Sequence, residues 1–260
     1  MRYLHLLILL SLTLSIKSQN NPLQNKNKEI GISEHLDEYI PEDIIFHNFD
    51  STEVNLKDLI DKPTVISFVY YTCPGLCNPL LNGLAEVIDR SEMVLGKDYQ
   101  VITISIEPED LIETGKGKKK NLLASMNNNI NEEAWIWIKG NQENITKATN
   151  ALGFDYMKDG KDYVHAAAIM VVSPKGKITR YLHGTYFLPF DLKMAVTEAK
   201  IEKSGPTISK VLKFCFSYDA EGKKYVFNIT KVTGIIILSA ALIFLLVLIF
   251  KKPKKNKLVT

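Results

Sequence analysis

An uninterrupted apolar run, Thr64-Val65-Ile66-Ser67-Phe68-Val69-Tyr70, ends directly on Tyr71-Thr72-Cys73-Pro74-Gly75-Leu76-Cys77-Asn78-Pro79. Rich in β-branched and aromatic residues and without polar alternation, the run is expected to form a central strand buried on both faces. Leu80, Leu81, Leu84, Val87 and Ile88 follow at helical spacing, so residues 78–92 are expected to be helical. The cysteines therefore fall at a strand-to-helix corner. With three residues between them, and Pro74 and Gly75 shaping the turn, both thiols are expected on one side of the helix start, at an exposed point. The positive end of the helix favours thiolate there, which suits either metal binding or disulfide exchange.

Around this corner the periodicities alternate in type. Ile40–Phe46 and Val54–Leu56 read as short early strands, Gln100–Ile106 as a second buried strand and Ala134–Ile138 as a third. Asn141–Leu152 carries helical periodicity and stops at Gly153. Ala166–Ser173 and Lys177–Leu182 flank the turn Pro174-Lys175-Gly176 and read as a hairpin, after which Pro189–Ser204 is expected as an amphipathic helix. The order is that of an α/β protein and resembles the thioredoxin fold. Between 107 and 133 the pattern fades into Glu107-Pro108-Glu109-Asp110 and the basic run Lys116 to Lys120, read as a solvated loop or helix face, or as a docking patch for an acidic partner. Trp135 and Trp137 are expected as core and strand-face residues.

The two ends of the chain address it to a membrane. Residues 1–18 have a basic start, a short apolar core and small residues before a polar stretch, the pattern of a secretory signal peptide. Residues 19–30, rich in Asn, Gln and Lys, read as a linker, residues 31–204 as one folded domain and 205–231 as a juxtamembrane segment. Val232–Phe250 carries no charge and as a helix is about 28 Å long, close to one bilayer thickness, so it is expected to span the membrane. The lysine-rich tail 251–260 then marks the cytoplasmic side, leaving the domain outside. A net charge of +3 gives no sign of a nucleic-acid binder. Three cysteines are too few for a disulfide scaffold.

Two thiolates select soft metals, and no second cysteine pair exists to close a structural zinc site. A cuprous ion is content with two or three soft ligands and could be held by Cys73, Cys77 and one imidazole. Of the five histidines, His5 goes with the signal, His35 and His47 precede the central strand in a polar region, and His183 is expected at the surface. His165 directly precedes the apolar strand Ala166–Val172, at the loop that in thioredoxin-like folds lies beside the cysteine corner and usually carries a cis-proline; here it carries no proline. Cys215, between Phe214 and Phe216, reads as a small apolar residue, with an intermolecular disulfide or an extra copper ligand as its functional alternatives. The methionines are dispersed and form no copper-binding tract.

Tyr70 to Cys77, Ile104-Ser105-Ile106-Glu107-Pro108, Tyr163-Val164-His165 and Val171-Val172-Ser173-Pro174-Lys175-Gly176 together resemble the SCO/SenC family of thioredoxin-fold copper chaperones, over residues 30–204. Gly31 to Leu36 and Ile40-Pro41 fit the start of bacterial members. The resemblance implies that Cys73, Cys77 and His165 bind copper. It further implies that the protein serves assembly of the dinuclear copper centre of cytochrome c oxidase, with the copper-bearing subunit or its assembly factors as partners. A bacterial inner-membrane location follows, with the domain facing the periplasm. Two positions depart from the pattern: Gly75, where many members carry Asp or Glu, and Val164, where many carry Asp. A thiol-disulfide oxidoreductase, or a peroxidase-like enzyme, acting on periplasmic protein thiols is the competing reading of the same cysteine pair.

Overall fold

The computed structural model describes residues 30–128 and 130–205, together with 216–219, 224–227, 233, 237, 239 and 241–246. The strand expected before the cysteines is β3 (Thr64–Val69), and all six of its residues are buried. Its parallel neighbour β4 (Gln100–Ser105) is equally enclosed, in register Ile66 to Ile102 and Phe68 to Ile104. Two fully buried strands side by side require cover on both faces, which dictates a layered α/β body. A seven-stranded sheet runs β2 (Glu53–Asn55), β1 (Ile45–Asn48), β5 (Trp135–Lys139), β4, β3, β8 (Ala168–Val172), β9 (Ile178–His183). β3, β4 and β5 are parallel, whereas β8 and β9 are antiparallel additions on the other side of β3.

The buried hydroxyls of the central strands satisfy one another. Ser67 Oγ and Thr103 Oγ1 lie 2.9 Å apart, and Trp135 Nε1 donates to Thr103 Oγ1 at 2.9 Å. Trp135 and Trp137 are both core residues, as expected.

The helix behind the cysteines, α1 (Cys77–Arg90), presents Leu80, Leu81, Leu84, Val87 and Ile88 to the core. It contacts α2 (Ile112–Ala124) and α4 (Pro189–Lys200), while α3 (Gln142–Ala151) follows β5. Gly83 permits an especially close approach: a Cβ there would lie 1.8 Å from the Thr185 carbonyl oxygen.

Three expectations need correction. The faded stretch after Glu107 holds α2, a helix with only Gly115 and Leu122 buried, so its apolar period is weak, and its two glycines lower its helix propensity. Gly115 is what lets α2 close on the aromatic rings beneath it, since a Cβ would meet Phe49 and Tyr71 ring carbons at 2.6 Å. No element is expected between Gly153 and Ala166, yet β6 (Tyr156–Asp159) and β7 (Asp162–His165) form a separate two-stranded hairpin there. Asp159-Gly160 at its turn, with Gly160 at φ +61°, was the available signal. The strand expected from Ala166 begins at Ala168, because Ala166 and Ala167 bridge from β7 to β8.

A short hairpin, β10 (Phe216–Asp219) and β11 (Lys224–Phe227), follows the domain. Among the described residues no helix is long and apolar enough to cross a membrane. The span expected over 232–250 lies mostly outside the described residues, as do the leader expected over 1–18 and Cys215. Of the expected span, 233, 237, 239 and 241–246 are helical, with Ile237 and Leu242 to Leu246 exposed.

Replacing Gly83 by Ala should lower the unfolding free energy by about 1–3 kcal/mol, since backbone rather than a flexible side chain must give way. A shifted urea midpoint of the full chain would show it, and an unchanged midpoint would contradict the packing described.

Candidate metal centre

Cys73 lies in the turn after β3, and Cys77 is the first residue of α1. The corner is held through one residue, Tyr71, both of whose backbone groups are engaged by charged side chains. Its N–H donates to Asp110 Oδ2 at 2.6 Å, and its carbonyl accepts from Lys118 Nζ at 3.2 Å. Asp110 Oδ2 also accepts from Ser105 Oγ at 2.5 Å, and Lys139 Nζ donates to the Asp110 carbonyl. Burial raises the Asp110 carboxyl above its usual range, against the lowering pull of Ser105 and the Tyr71 N–H. Asp110 and Lys118 fall in the stretch expected as solvated, so nothing in their sequence context marked them; only the packing of α2 brings them to the cysteine turn.

The histidine arrives from the far side. His165 ends β7, and its Nδ1 lies 2.9 Å from the Ala166 carbonyl, which can only accept. Nδ1 therefore donates to it, and the other ring nitrogen, Nε2, faces Cys77 Sγ 3.7 Å away. The ring is backed by Phe154 at 5.6 Å between centroids. Cys77 N–H points at Cys73 Sγ, 3.4 Å distant. Tyr70, beside the turn, donates from Oη to Asp162 Oδ1 at 3.2 Å and packs its ring on Tyr163 at 5.2 Å.

The two sulfurs are electrostatically unequal. The contact from Cys77 holds the Cys73 thiol well below the ordinary cysteine range despite burial, with His165, the Cys77 amide and Tyr70 adding to it. The same contact, and burial, push Cys77 upward. Of the two thiols, Cys73 is thus the one favoured to ionise, while Cys77, beside the imidazole, is the one held protonated.

In one respect the site differs from expectation: it is not exposed. Cys73 is 5% accessible, Cys77 0% and His165 9%. The β6–β7 hairpin, unseen in the sequence, packs Tyr163 against Tyr70 beside this corner. Among the described residues no group of three or more His, Cys, Asp or Glu is disposed as a preformed metal cage. Cys77 stands between the other two, its Sγ 3.7 Å from His165 Nε2 and its N–H 3.4 Å from Cys73 Sγ. Gly75 borders open space, since a Cβ there would meet nothing within 4 Å, so the turn has room for a side chain at this position. The other histidines are elsewhere. His35 Nδ1 lies 3.1 Å from the Ala151 carbonyl, and His47 faces Glu53. His183, expected at the surface, is largely buried with its Nε2 2.9 Å from Glu34 Oε1, because the N-terminal segment folds across β9.

A mixed α/β thioredoxin-like fold with a cysteine pair at the end of its central strand and a histidine ahead of the next defines the class. The SCO1/SenC family pattern matches residues 39–197, more than half of the chain, and the chain belongs to that family. Among curated proteins it is similar to the mitochondrial Protein SCO1 homolog 1 of Arabidopsis thaliana, 25% identical over 138 residues. That match covers 51% of this chain and 39% of the relative, so the chain spans well under half of that protein's length. A crystal structure from Aquifex aeolicus VF5 shares 29% identity at a TM-score of 0.57, covering 64% of this chain and 94% of that one. The crystal structure of Arabidopsis thaliana ScoI with copper bound is similar in fold, with 21% identity, a TM-score of 0.51, and 61% and 96% coverage.

Two outcomes follow from this geometry. In reduced, metal-free protein at about pH 6, where an ordinary thiol is protonated, iodoacetamide should label Cys73 ahead of Cys77, because a lowered pKa keeps the thiolate present until the pH falls further. Peptide mass spectrometry reads the ratio, and equal labelling would contradict the asymmetry. Asp110→Ala should cost about 1–3 kcal/mol by stranding the Tyr71 N–H, with Asp110→Asn milder at neutral pH. Since the folded-state pKa of Asp110 lies above its unfolded value, ionisation costs stability at neutral pH, and that cost fades as pH falls through the folded pKa. The lead of wild type over Asp110→Asn should accordingly widen on acidification, read as denaturation midpoints that move apart.

Proposed function

We propose that this chain is a membrane-anchored copper chaperone that holds a cuprous ion through Cys73, Cys77 and His165 and supports assembly of the copper centre of cytochrome c oxidase. The observation that carries the reading is the 3.7 Å separation of Cys77 Sγ and His165 Nε2, from residues 88 apart in sequence. Sulfur and nitrogen ligands at about 2.3 and 2.1 Å from one metal, spread tetrahedrally or trigonally, stand about 3.6–3.8 Å apart. The sulfur donors are soft, Nε2 of the histidine faces them, and the Cys73 thiol is the one favoured to ionise. Membership of the SCO1/SenC family supports copper as the cargo and the oxidase as the client.

On loading, the Cys77 proton leaves to solvent and both sulfurs and Nε2 face the ion. On delivery, a thiolate or imidazole of the acceptor enters before the donor ligands depart, so the site has to open. Anchoring by the apolar run 232–250, with the domain on the periplasmic side of a bacterial inner membrane, is supported by the lysine-rich tail and by the exposed apolar side chains of the described helical residues within that run.

The inequality of the sulfurs also favours a second reading, thiol-disulfide exchange on periplasmic protein thiols, with Cys73 attacking and the enclosed Cys77 resolving the mixed disulfide. His165 separates the two. Anaerobic titration of the reduced full-length chain in detergent with cuprous ion and a competing chelator should give one ion per chain. His165→Ala and Cys77→Ser should each weaken retention by at least about tenfold, the scale seen even when outer partners of metal ligands are removed. Undiminished binding in both variants, or rapid copper-independent disulfide turnover, would falsify the chaperone assignment.

A further inference from the structure

A site that exchanges metal with a partner cannot remain closed, yet both thiols here are buried. The element that brings His165 to Cys77 and packs Tyr163 on Tyr70 beside the cysteine turn is the β6–β7 hairpin, a two-stranded sheet of its own outside the main sheet. Such a pair is marginal alone and stays seated only through what ties it to the body. Its outer face is solvated, with the cross-strand partners Met157 and Val164 both exposed. Its inner face carries His165 and Tyr163, and Tyr163 donates from Oη to Glu107 Oε2 at 2.9 Å. Lys158, opposite Tyr163, reaches the same oxygen at 3.1 Å and lies 5.3 Å from the centre of the Tyr163 ring.

Glu107 stands just past the carboxyl end of β4, beside the strand that leads to the cysteines, and its side chain is only 15% exposed. The Glu109 N–H donates to its other oxygen at 3.1 Å, fixing the carboxylate from behind. Burial pushes its pKa upward, but the hydrogen bonds from Glu109, Lys158 and Tyr163 outweigh that and hold the carboxyl below its usual range. A cavity of about 420 Å³ lined by Glu107, Asn150, Tyr156, Lys158 and Tyr163 adjoins this contact, so the hairpin has space to shift once released.

We propose that Glu107 is a positioning residue for His165: by gripping Tyr163 and Lys158 it keeps the β6–β7 hairpin seated beside the cysteine pair and sets how often the dithiol opens. The inference deepens the chaperone reading and rests on it for its copper arm. Two charge-assisted contacts to a mostly buried carboxylate are strong enough to shift a local opening equilibrium by an order of magnitude. Glu107 touches neither sulfur nor His165, so its effect is carried entirely through the hairpin.

The test uses the full-length chain in detergent. Glu107→Ala should accelerate iodoacetamide labelling of Cys73 in reduced, metal-free protein by about tenfold, with Tyr163→Phe giving a smaller rise of the same sign. In parallel, Glu107→Ala should weaken cuprous retention by about tenfold in otherwise wild-type protein and not at all in His165→Ala protein, because its effect runs through that imidazole. Should the alanine variant fail to fold, Glu107→Gln, which keeps an acceptor for Tyr163 and loses the charge facing Lys158, carries the same measurements. An unchanged labelling rate overturns the proposal, as does an equal loss of copper with and without His165, which would mark a general structural defect. If wild type binds no copper, the chaperone assignment falls, while the labelling arm still decides whether Glu107 holds the hairpin.

Discussion

Everything at this site depends on where the chain leaves β3. The Tyr71 backbone is gripped from both sides, its N–H by a buried carboxylate and its carbonyl by a lysine of the neighbouring helix. A buried peptide group left without partners costs more than an ordinary hydrogen bond returns, so this corner has essentially one way to be satisfied. That single solution sends the chain through Cys73 and into α1 at Cys77, and it fixes the sulfurs before any metal is considered. The acid that does this is itself held in a raised-pKa state by the enclosure it helps create.

From that fixed corner the inequality of the thiols follows. Cys73 receives the amide of Cys77, while Cys77 turns into the core against the histidine ring. A nucleophilic, soft anion beside a protonated, shielded partner serves both metal capture and disulfide exchange, which is why the cysteine pair alone never separates the two. Under the proposed chaperone function the imidazole is the third donor, and burial of both thiols then requires the site to open. The donors thereby come from different elements: the β3–α1 corner supplies the sulfurs and the hairpin supplies the nitrogen.

Much of this was legible in the residues. Thr64–Val69, Gln100–Ser105 and the Leu80-Leu81-Leu84 face of α1 announced themselves by burial pattern and period, since two enclosed strands and one amphipathic helix leave few arrangements. His165 could be singled out from four other histidines by its place ahead of an apolar strand. The helix Ile112–Ala124 was hidden because glycines and lysines fill it and only two of its residues are buried. The hairpin Tyr156–His165 was hidden because its short strands, solvated on one side, carry almost no apolar alternation beyond its Asp-Gly turn. His183 was misjudged for a related reason: its cover comes from Glu34, at the opposite end of the domain's sequence.

The sequence by itself determined the α/β class, the corner that carries Cys73 and Cys77, and the donor types available to a soft ion, because hydrophobic period and side-chain chemistry are local properties. Only the tertiary structure decided that Asp110 and Lys118 clamp the corner, that His165 Nε2 rather than Nδ1 faces the sulfur, and that the dithiol is enclosed. Those outcomes arise from contacts between segments distant along the chain, and their strength depends on the exclusion of water that folding alone produces.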